Sequence, residues 1–451
     1  MNNSEATTPL TKKRQPPARG AAFERGLNWP SGHTGSIREK LSLVLNKKLL
    51  AYLGPGFIVT VGFIDPGNWA TNMAGGAEFN YRLLWVITLS TVMLILLQHM
   101  SARLGAVTGK SLAENIREHF PKPLASFFAA TIFIACIATS LAEYLGGALG
   151  LNILFGLPLW AGALLTFILV VVLIVFQCYS KIERIILAFL AIIAGSYVLE
   201  IFITQPDWAQ ALPRTVLPSV NSQSIMVAVG MLGAVVMSHN IYLHSSTIQS
   251  RDWSGSDAKK RELLRFEFID TVLAMGLGWL VNSSMILVAA AVFYTTNTKV
   301  ISLEQAAATL KPLAGEFAGL VFAVALLFCG VGSSITASLA SGNIMSGYMA
   351  KDSDSKPFWF RLGVVALTLP ALLIIALNLN SYQALILSQV VLSAMLPFTI
   401  IPLLILVKNP RIMGCFASGR VEFSLAFTTA AVVILLNVLL LYQAFGGTFS
   451  L

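Results

Sequence analysis

Two short polar motifs interrupt long apolar stretches of the sequence. One runs from Asp65 to Asn68 (Asp-Pro-Gly-Asn), and the other runs from Met237 to Asn240 (Met-Ser-His-Asn). The Asp65 carboxylate and the Asn68 amide offer oxygen ligands to a hard or borderline divalent cation. The Met237 thioether is a soft ligand that favours manganese, iron, cobalt or cadmium over calcium or magnesium. Brought together, these groups would form a transition-metal site of modest affinity.

Each of these three side chains also has a purely structural interpretation. Asp65 could be a buried structural carboxylate, although an acid inside a membrane segment is costly and is functional by default. Asn68 could simply cap the half-helix that follows it. Met237 could simply fill space in an apolar helix, as methionine usually does.

The composition is that of an integral membrane protein. Of the 451 residues, 56% are hydrophobic and 11% are charged, and the mean hydropathy is +0.75. A soluble chain carries about 25% charged residues, so this one has too little charge to coat a soluble surface. A soluble enzyme, a disordered protein and a coiled coil are therefore excluded. Four cysteines show no CxxC or metal-like spacing, and the three in apolar stretches are expected to be buried thiols: Cys136, Cys178 and Cys329, with Cys415 outside such a stretch.

Long apolar stretches predict membrane-crossing helices. A crossing needs about 20 residues, because the hydrocarbon is about 30 Å thick and a helix rises 1.5 Å per residue. A β-barrel would instead show alternating segments of about ten residues. We therefore predict an all-α fold with eleven transmembrane helices. Their approximate ranges are 50–76, 83–105, 124–151, 158–178, 185–204, 224–247, 268–294, 315–347, 358–378, 384–407 and 423–445.

The distribution of Lys and Arg predicts the orientation. All but four of the 30 Lys and Arg residues fall on one side of the predicted membrane, and this number includes those of the basic segment at residues 1–48. Positive charge collects on the cytoplasmic side, so the N-terminus is predicted to be cytoplasmic and the C-terminus outside, in a multi-pass cell-membrane protein. Residues 1–48 hold no apolar run of the kind found in a cleaved signal peptide, and we expect a disordered tail. The four exceptions are Arg82, Arg214, Lys299 and Lys311.

The two motifs lie in the first and the sixth predicted spans. Pro66 removes a backbone donor and Gly67 admits unusual backbone angles, so the first span must break there. Gly230 and Gly233 precede the second motif, where a second break is expected. Breaks at matching positions of two halves indicate a transporter built from inverted repeats, with its substrate between the breaks. The predicted transporter domain, 49–447, thus contains repeat one at about 50–204, repeat two at about 224–407 and an extra helix at about 423–445.

The two motifs resemble those of the Nramp family of divalent metal transporters. The resemblance is carried by Gly54-Pro55-Gly56, by the stretch from Asp65 to Asn72 and by the stretch from Met237 to Ser246, and it extends from about Leu50 to the end of the eleventh predicted span. It implies a LeuT-like fold with the first and sixth helices broken. It also implies import of manganese or ferrous iron, usually with protons, and no cofactor besides the transported ion.

The resemblance implies further metal ligands as well. The family pattern points to the backbone carbonyls of Gly62 and Ala234, which an unwound helix would free. Gln389, on the tenth predicted span, matches the family position that approaches the metal in the closed state. Alternatively, Gln389 could simply form a hydrogen bond between helices.

The proton pathway departs from the family pattern. Ser140 stands where most members carry an Asp, three residues before an acid that is retained as Glu143. Phe133 occupies the position of a second acid, and Arg361 is followed by Leu362 where members often have two adjacent arginines. Serine cannot carry a proton as a carboxylate does, so we expect weaker proton coupling. The titratable groups that remain are Asp65, Glu143, His239 and His244, and histidine titrates nearest to physiological pH.

The sequence therefore predicts an alternating-access importer of manganese and ferrous iron, with cadmium and cobalt as additional substrates and protons as the linked ion. One alternative is a proton-uncoupled, Nramp-related carrier of magnesium or another divalent metal, but a carrier of hydrated magnesium should lack the sulfur of Met237. Another is an organic-solute carrier of the same fold, in which Asp65 would not face Met237. We find no catalytic constellation that would indicate an enzyme. The expected partners are the metal ion, protons and the lipid bilayer, without nucleic acid, and we expect a functional monomer.

Overall fold

Apolar helices make up the regular structure in the part of the chain that the structure describes. The computed structural model describes residues 52–444, apart from 177, 178, 220, 222, 299, 301, 315, 378 and 379. The predicted tail at 1–48, Cys178 and the predicted outside C-terminus lie beyond the described residues. Within them, nine helices are long and apolar enough to cross a membrane. The number of eleven crossings stays a prediction.

The first predicted repeat is helical because a chain in hydrocarbon must pair its backbone polar groups within each helix. Its long fifth helix ends at Gly156, whose φ of 70° is a left-handed conformation that glycine adopts without strain. The helices in chain order are α1 (Pro55–Phe63), α2 (Pro66–Phe79), α3 (Leu84–Thr108), α4 (Leu112–His119), α5 (Lys122–Phe155), α6 (Leu159–Phe176) and α7 (Tyr179–Thr204).

The second predicted repeat follows a short connecting helix, α8 (Trp208–Arg214). A π-helical segment at Ala290–Tyr294 extends its third helix. The helices of this part are α9 (Ser224–Val235), α10 (Ser238–Thr247), α11 (Asp257–Ala289), α12 (Leu303–Ala314), α13 (Glu316–Met349), α14 (Lys356–Ala366), α15 (Leu369–Ala376), α16 (Ser381–Met395) and α17 (Pro397–Lys408). After them come α18 (Pro410–Met413) and α19 (Arg420–Ala444).

The predicted breaks in the first and sixth spans are confirmed. The helix stops at Ile64 and Asp65 between α1 and α2, and at Val236 and Met237 between α9 and α10. Asp65 and Met237 both have extended backbone angles. The two polar motifs therefore begin inside the membrane-spanning region with backbone groups that the helices do not pair.

The regular α-helical pattern is briefly interrupted within two of the predicted spans. The helix stops between α14 and α15, just before Pro370, and again between α16 and α17, just before Pro397. Proline has no N–H and its ring crowds the preceding turn, so each division has a local cause. Both interruptions are short, and the predicted spans 358–378 and 384–407 correspond to helices long enough to cross a membrane, Lys356–Ala376 and Ser381–Lys408.

The amphipathic helix α4 was missed by the sequence analysis, although its start carries a clear signal. Ser111 caps the helix and Glu114 reaches back to the Ser111 backbone N–H, which is a complete capping box. Lys356 Nζ also donates to Glu114 Oε1 at 2.6 Å, which ties α4 to the start of α14. Burial opposes ionisation of Glu114, but the hydrogen bonds from Lys356 and Ser111 lower its pKa below the usual value.

Small residues let α5 pack directly on the backbone of α13. A Cβ added at Gly330 would lie 2.2 Å from the Gly147 nitrogen, and one added at Gly150 would lie 2.6 Å from the Leu327 Cα. A Cβ at Gly146 would lie 1.8 Å from Pro66 Cγ, so the same helix also touches the first break. These glycines form a packing face on α5, and that face holds the first break against the core.

Candidate metal-binding site

The first break follows from Pro66 and is shaped by Asp65. In an uninterrupted helix the Gly62 carbonyl would accept from the nitrogen four residues later, but that residue is Pro66 and has no N–H. Asp65 then caps α2, since its two carboxylate oxygens accept from the backbone nitrogens of Gly67 and Asn68 at 3.0 Å each. The carboxylate is thereby fixed at the break, and it is 1% exposed.

Asn68 connects the two breaks. Its Nδ2 lies within hydrogen-bond distance of Asp65 Oδ1 and the Phe63 carbonyl, both at 2.6 Å, and of the Ala234 carbonyl at 2.8 Å. The alternative that Asn68 caps the half-helix is wrong, because Asp65 makes that cap. Asn68 instead gathers a carboxylate and two backbone carbonyls, one of them the predicted Ala234.

The second break packs against the first through Gly62 and Asn240. A Cβ added at Gly62 would lie 2.5 Å from Asn240 Oδ1, so a larger residue there would displace the Asn240 side chain. Asn240 Nδ2 in turn lies 3.6 Å from the sulfur of Met237, which is fully buried. The thioether and the first break therefore face the same amide side chain.

Gln389 reaches the first break from α16. Its Nε2 donates to Asp65 Oδ2 at 3.2 Å, a position left open by Gly67, where a Cβ would lie 1.6 Å from that nitrogen. The bond joins two helices, as expected if Gln389 serves only as a hydrogen-bonding residue between helices. It also ends on Asp65, the predicted metal ligand, as expected if Gln389 approaches the metal. Both interpretations of Gln389 are compatible with this geometry.

Several buried oxygens at the breaks have no hydrogen-bond donor in the part of the chain that the structure describes and could instead bind a divalent cation. Within the described residues, Asn68 Oδ1, Asn240 Oδ1 and Gln389 Oε1 are buried and lack a hydrogen-bond partner. Buried acceptors of this kind are normally satisfied, so a ligand with positive charge is the natural complement. The described residues hold no cluster of three or more His, Cys, Asp or Glu. The donor set is instead one carboxylate, amides, carbonyls and a thioether, which suits a borderline cation.

Glu143 lies on α5 one turn before Gly146, which touches the first break. It is fully buried, and neither carboxylate oxygen has a partner among the described residues. Ser140, on the preceding turn of α5, is equally buried, and its hydroxyl also lacks a partner within the described chain. Phe133 packs its ring edge-on against Tyr348 at 6.2 Å between centroids. The predicted acid position is thus filled by an aromatic contact.

The two histidines of α10 each bond to a neighbouring helix. His239 Nδ1 lies 3.0 Å from the Thr139 hydroxyl, and His244 Nδ1 lies 3.1 Å from Gln98 Oε1. Neither Nε2 atom has a partner among the described residues. Because an amide oxygen only accepts, the hydrogen of His244 lies on Nδ1 and its Nε2 is left to exchange a proton.

The remaining predicted residues of the proton pathway lie apart from these groups. Arg361 is exposed on α14, and its neighbour Leu362 is 38% exposed. No hydrogen bond or ion pair recorded among the described residues joins Arg361 to Glu143. Arg361 therefore lies at the surface. The other predicted residues of the pathway lie on α5 and α10, the helices next to the breaks: Ser140, Glu143, His239 and His244.

Sequence reasoning missed several residues that hold this arrangement. Asp270 of α11 accepts from the backbone nitrogens of Gly54 at 3.0 Å and Gly56 at 2.7 Å, and so stabilises the start of α1. The Cys329 thiol donates to the Ile64 carbonyl at the first break. Asp270 carried a signal, since an acid in an apolar stretch is costly, whereas a lone Cys329 carried none.

Comparisons with known proteins agree with this geometry. A model of the family described as natural resistance-associated macrophage protein-like (Nramp) matches residues 56–443. The divalent metal cation transporter MntH of Caldanaerobacter subterraneus subsp. tengcongensis is 41% identical over 404 residues, which cover 89% of this chain and 95% of that protein. A protein of the same name from Brucella suis is 39% identical over 436 residues, covering 94% and 95%.

Solved structures show the same fold. The manganese transporter of Eremococcus coleocola, in complex with an aromatic bis-isothiourea substituted compound, has a TM-score of 0.79 at 30% identity and covers 94% of this chain and 92% of its own. Mhp1, a nucleobase-cation-symport-1 transporter, has a TM-score of 0.59 at 15% identity over 86% of this chain and 91% of its own, which supports the LeuT-like fold alone. With the family model spanning most of the sequence and both helix breaks in place, the chain belongs to the Nramp family.

Proposed function

We propose that the protein imports a divalent transition-metal cation by alternating access, with manganese as its main substrate. The observation that carries this proposal is the connection of the two buried helix breaks through Asn68, beside a carboxylate and a thioether. A site of this kind near the membrane midplane is where transporters of inverted repeats bind substrate. Relatives named as divalent metal cation and manganese transporters support the choice of substrate class.

We infer that ferrous iron, cobalt and cadmium are additional substrates. The Asp65 carboxylate and the amide oxygens would bind any small divalent ion, whereas the buried sulfur of Met237 favours the softer ones. The magnesium alternative is disfavoured because magnesium prefers oxygen ligands and keeps several waters, so it gives no role to the buried sulfur of Met237. The organic-solute alternative is disfavoured because a carboxylate, rather than a helix N-terminus alone, lies at the first break.

Uptake into proteoliposomes tests the proposal. Vesicles with the purified full-length protein should accumulate manganese well above protein-free vesicles. Excess cadmium or ferrous iron should compete, and excess magnesium or an amino acid should not. Competition by magnesium at the concentration at which cadmium acts would contradict a transition-metal site, and competition by an amino acid would favour the organic-solute alternative.

Replacing Met237 with Ala should change selectivity more than total uptake. We expect manganese uptake to persist within a few-fold, cadmium affinity to fall by about tenfold, and calcium to become a competitor, because the thioether discriminates among cations. The measurement is manganese uptake with calcium and cadmium as competitors. Met100→Ala is the matched control, since Met100 is also fully buried but lies on α3. If Met237→Ala and Met100→Ala behave alike, Met237 serves only packing.

We further propose that protons enter with the metal and that His244 takes part in their transfer. Ser140, Phe133 and Leu362 stand at positions where the family carries titratable groups. Uptake by this protein should therefore depend on pH less steeply than uptake by family members that have all of those groups. The remaining dependence should be a rise in uptake as the outside pH falls, with histidine as the group that takes up the proton.

Substituting His244 tests this coupling. His244→Ala should flatten the profile of manganese uptake between pH 5.5 and 8 while leaving metal binding intact, and a pH-sensitive dye inside the vesicles should report less proton entry. His119→Ala, at the end of the surface helix α4, should leave the profile unchanged. Stoichiometric proton entry that survives His244→Ala would assign the transfer to Asp65, Glu143 or His239 instead.

A further inference from the structure

A cavity of about 720 Å³ opens between α3, α11 and the segment that leads into α19, away from the helix breaks. We call it the basic cavity. Arginines from two of these helices reach it, and aromatic and aliphatic side chains continue its wall. Its principal lining residues are His99, Arg103, Arg261, Arg265, Phe268 and Glu422.

The lining of the basic cavity carries an excess of positive charge. Its three arginines face one glutamate, and that glutamate is already engaged, since Glu422 pairs with Arg103 at 2.8 Å. His99 is held by Glu267, which lies behind the wall, at 2.6 Å. Arg261 lies 5.8 Å from the centre of the Phe416 ring. Arg265 forms no ion pair with any residue that the structure describes. Arg261 and Arg265 are therefore the cations that an anion could reach.

One face of α11 changes from basic to apolar below these arginines. Arg261 and Arg265 are four residues apart, and Ile269 and Leu273 continue the same spacing, so all four share one face of the helix. Ile269 is 38% exposed, Leu273 is 51% exposed, and Phe268 beside them is 44% exposed. A cationic end followed by an exposed apolar surface is the complement of a phospholipid with its head group and acyl chain.

The position along the membrane fits as well. The apolar stretch predicted for this span begins at residue 268, so Arg261 and Arg265 lie within two turns outside it, at the level of the phosphate groups. The distribution of Lys and Arg assigns this end of α11 to the cytoplasm. Basic pockets between transmembrane helices on that side are suited to anionic head groups.

We infer that the basic cavity binds the phosphodiester of an anionic phospholipid. The guanidinium groups of Arg261 and Arg265 donate to the phosphate oxygens, a geometry for which arginine is well suited. One acyl chain lies along Phe268 and Ile269. A zwitterionic lipid would bring a cationic group into a lining with two positive charges in excess, which favours a lipid such as phosphatidylglycerol.

Native mass spectrometry of the purified full-length protein tests this site, with dioleoyl phosphatidylglycerol, dioleoyl phosphatidylcholine and inorganic phosphate as the probes. We expect at least a fivefold larger bound fraction for phosphatidylglycerol than for phosphatidylcholine, and an increase in melting temperature with phosphatidylglycerol alone. The double variant R261Q/R265Q should lose both effects, and R265Q, which keeps Arg261 beside Phe416, should lose part of them.

The matched control is R411Q/K351Q, which removes the same charge from two exposed residues on the same predicted side. It should retain the preference for phosphatidylglycerol. Equal retention by R261Q/R265Q would overturn the assignment of the site. Stabilisation by inorganic phosphate as large as that by phosphatidylglycerol would show an anion site without a lipid and would overturn the lipid proposal. Metal uptake is measured separately, so failure here leaves the transport proposal untouched.

Discussion

Asp65→Asn should reduce manganese uptake by about 100-fold or more while leaving the fold intact. Removing one charge of a buried ion pair costs about 3 to 5 kcal/mol, and about 3 kcal/mol corresponds to a factor of roughly 150 in binding. Asparagine keeps one acceptor oxygen, which can still accept from one of the two backbone nitrogens, so the cap of α2 is kept in part while the charge is lost. Initial uptake rates and the elution profile of the purified variant measure the two effects.

The control for Asp65 is the same substitution at another helix cap. Asp207 caps α8 through Oδ1, which accepts from Ala209 and Gln210, and it lies near the surface. Asp207→Asn should leave uptake within twofold of the original. Robust uptake by a well-folded Asp65→Asn variant would show that the metal does not depend on this carboxylate.

Gly330→Ala should destabilise the protein strongly, because the added methyl group has no room between α5 and α13. The added Cβ would lie 2.2 Å from the Gly147 nitrogen, and a backbone atom cannot move aside as a flexible side chain can. Overpacking of this kind typically costs about 1 to 3 kcal/mol and sometimes more. We expect a melting temperature several degrees lower and reduced uptake, because α5 also supports the first break at Pro66.

Gly276→Ala is the matched control for Gly330→Ala. Gly276 is also inside a long helix, α11, but nothing lies within 4 Å of a Cβ placed there. Alanine favours a helix over glycine by about 1 kcal/mol, so this variant should be unchanged or slightly more stable. Equal melting temperatures for the two variants would mean that α5 and α13 do not pack as closely as described.

The positions of the breaks could be predicted because their cause is local. Pro66 removes a donor wherever it stands in a helix, and a carboxylate beside it has few structural uses inside a membrane. The same rule applied to Pro370 and Pro397 accounts for the short interruptions within the ninth and tenth predicted spans.

The partners of the motif residues could not be predicted in this way. Gln98, Thr139 and Asp270 each lie on a different helix from the group they bond, and spacing along one helix does not reveal which face of another it meets. Arg361 illustrates the converse, since a matching position in the sequence did not place its side chain near Glu143. Such neighbours depend on helix packing, which the resemblance supplied only for the motifs themselves.

The charge of the two breaks has an electrical consequence. Of the residues in the two motifs, Asp65 alone carries a carboxylate, so under the proposed function a divalent ion adds two positive charges to a site with one acidic side chain. Each ion carried thus moves two positive charges through the membrane field. At about 2.3 kcal/mol per charge, an interior-negative potential of about 100 mV supplies nearly 5 kcal/mol, a concentration ratio on the order of a thousandfold. Voltage alone can therefore drive accumulation, and this driving force does not depend on the acid that Ser140 replaces.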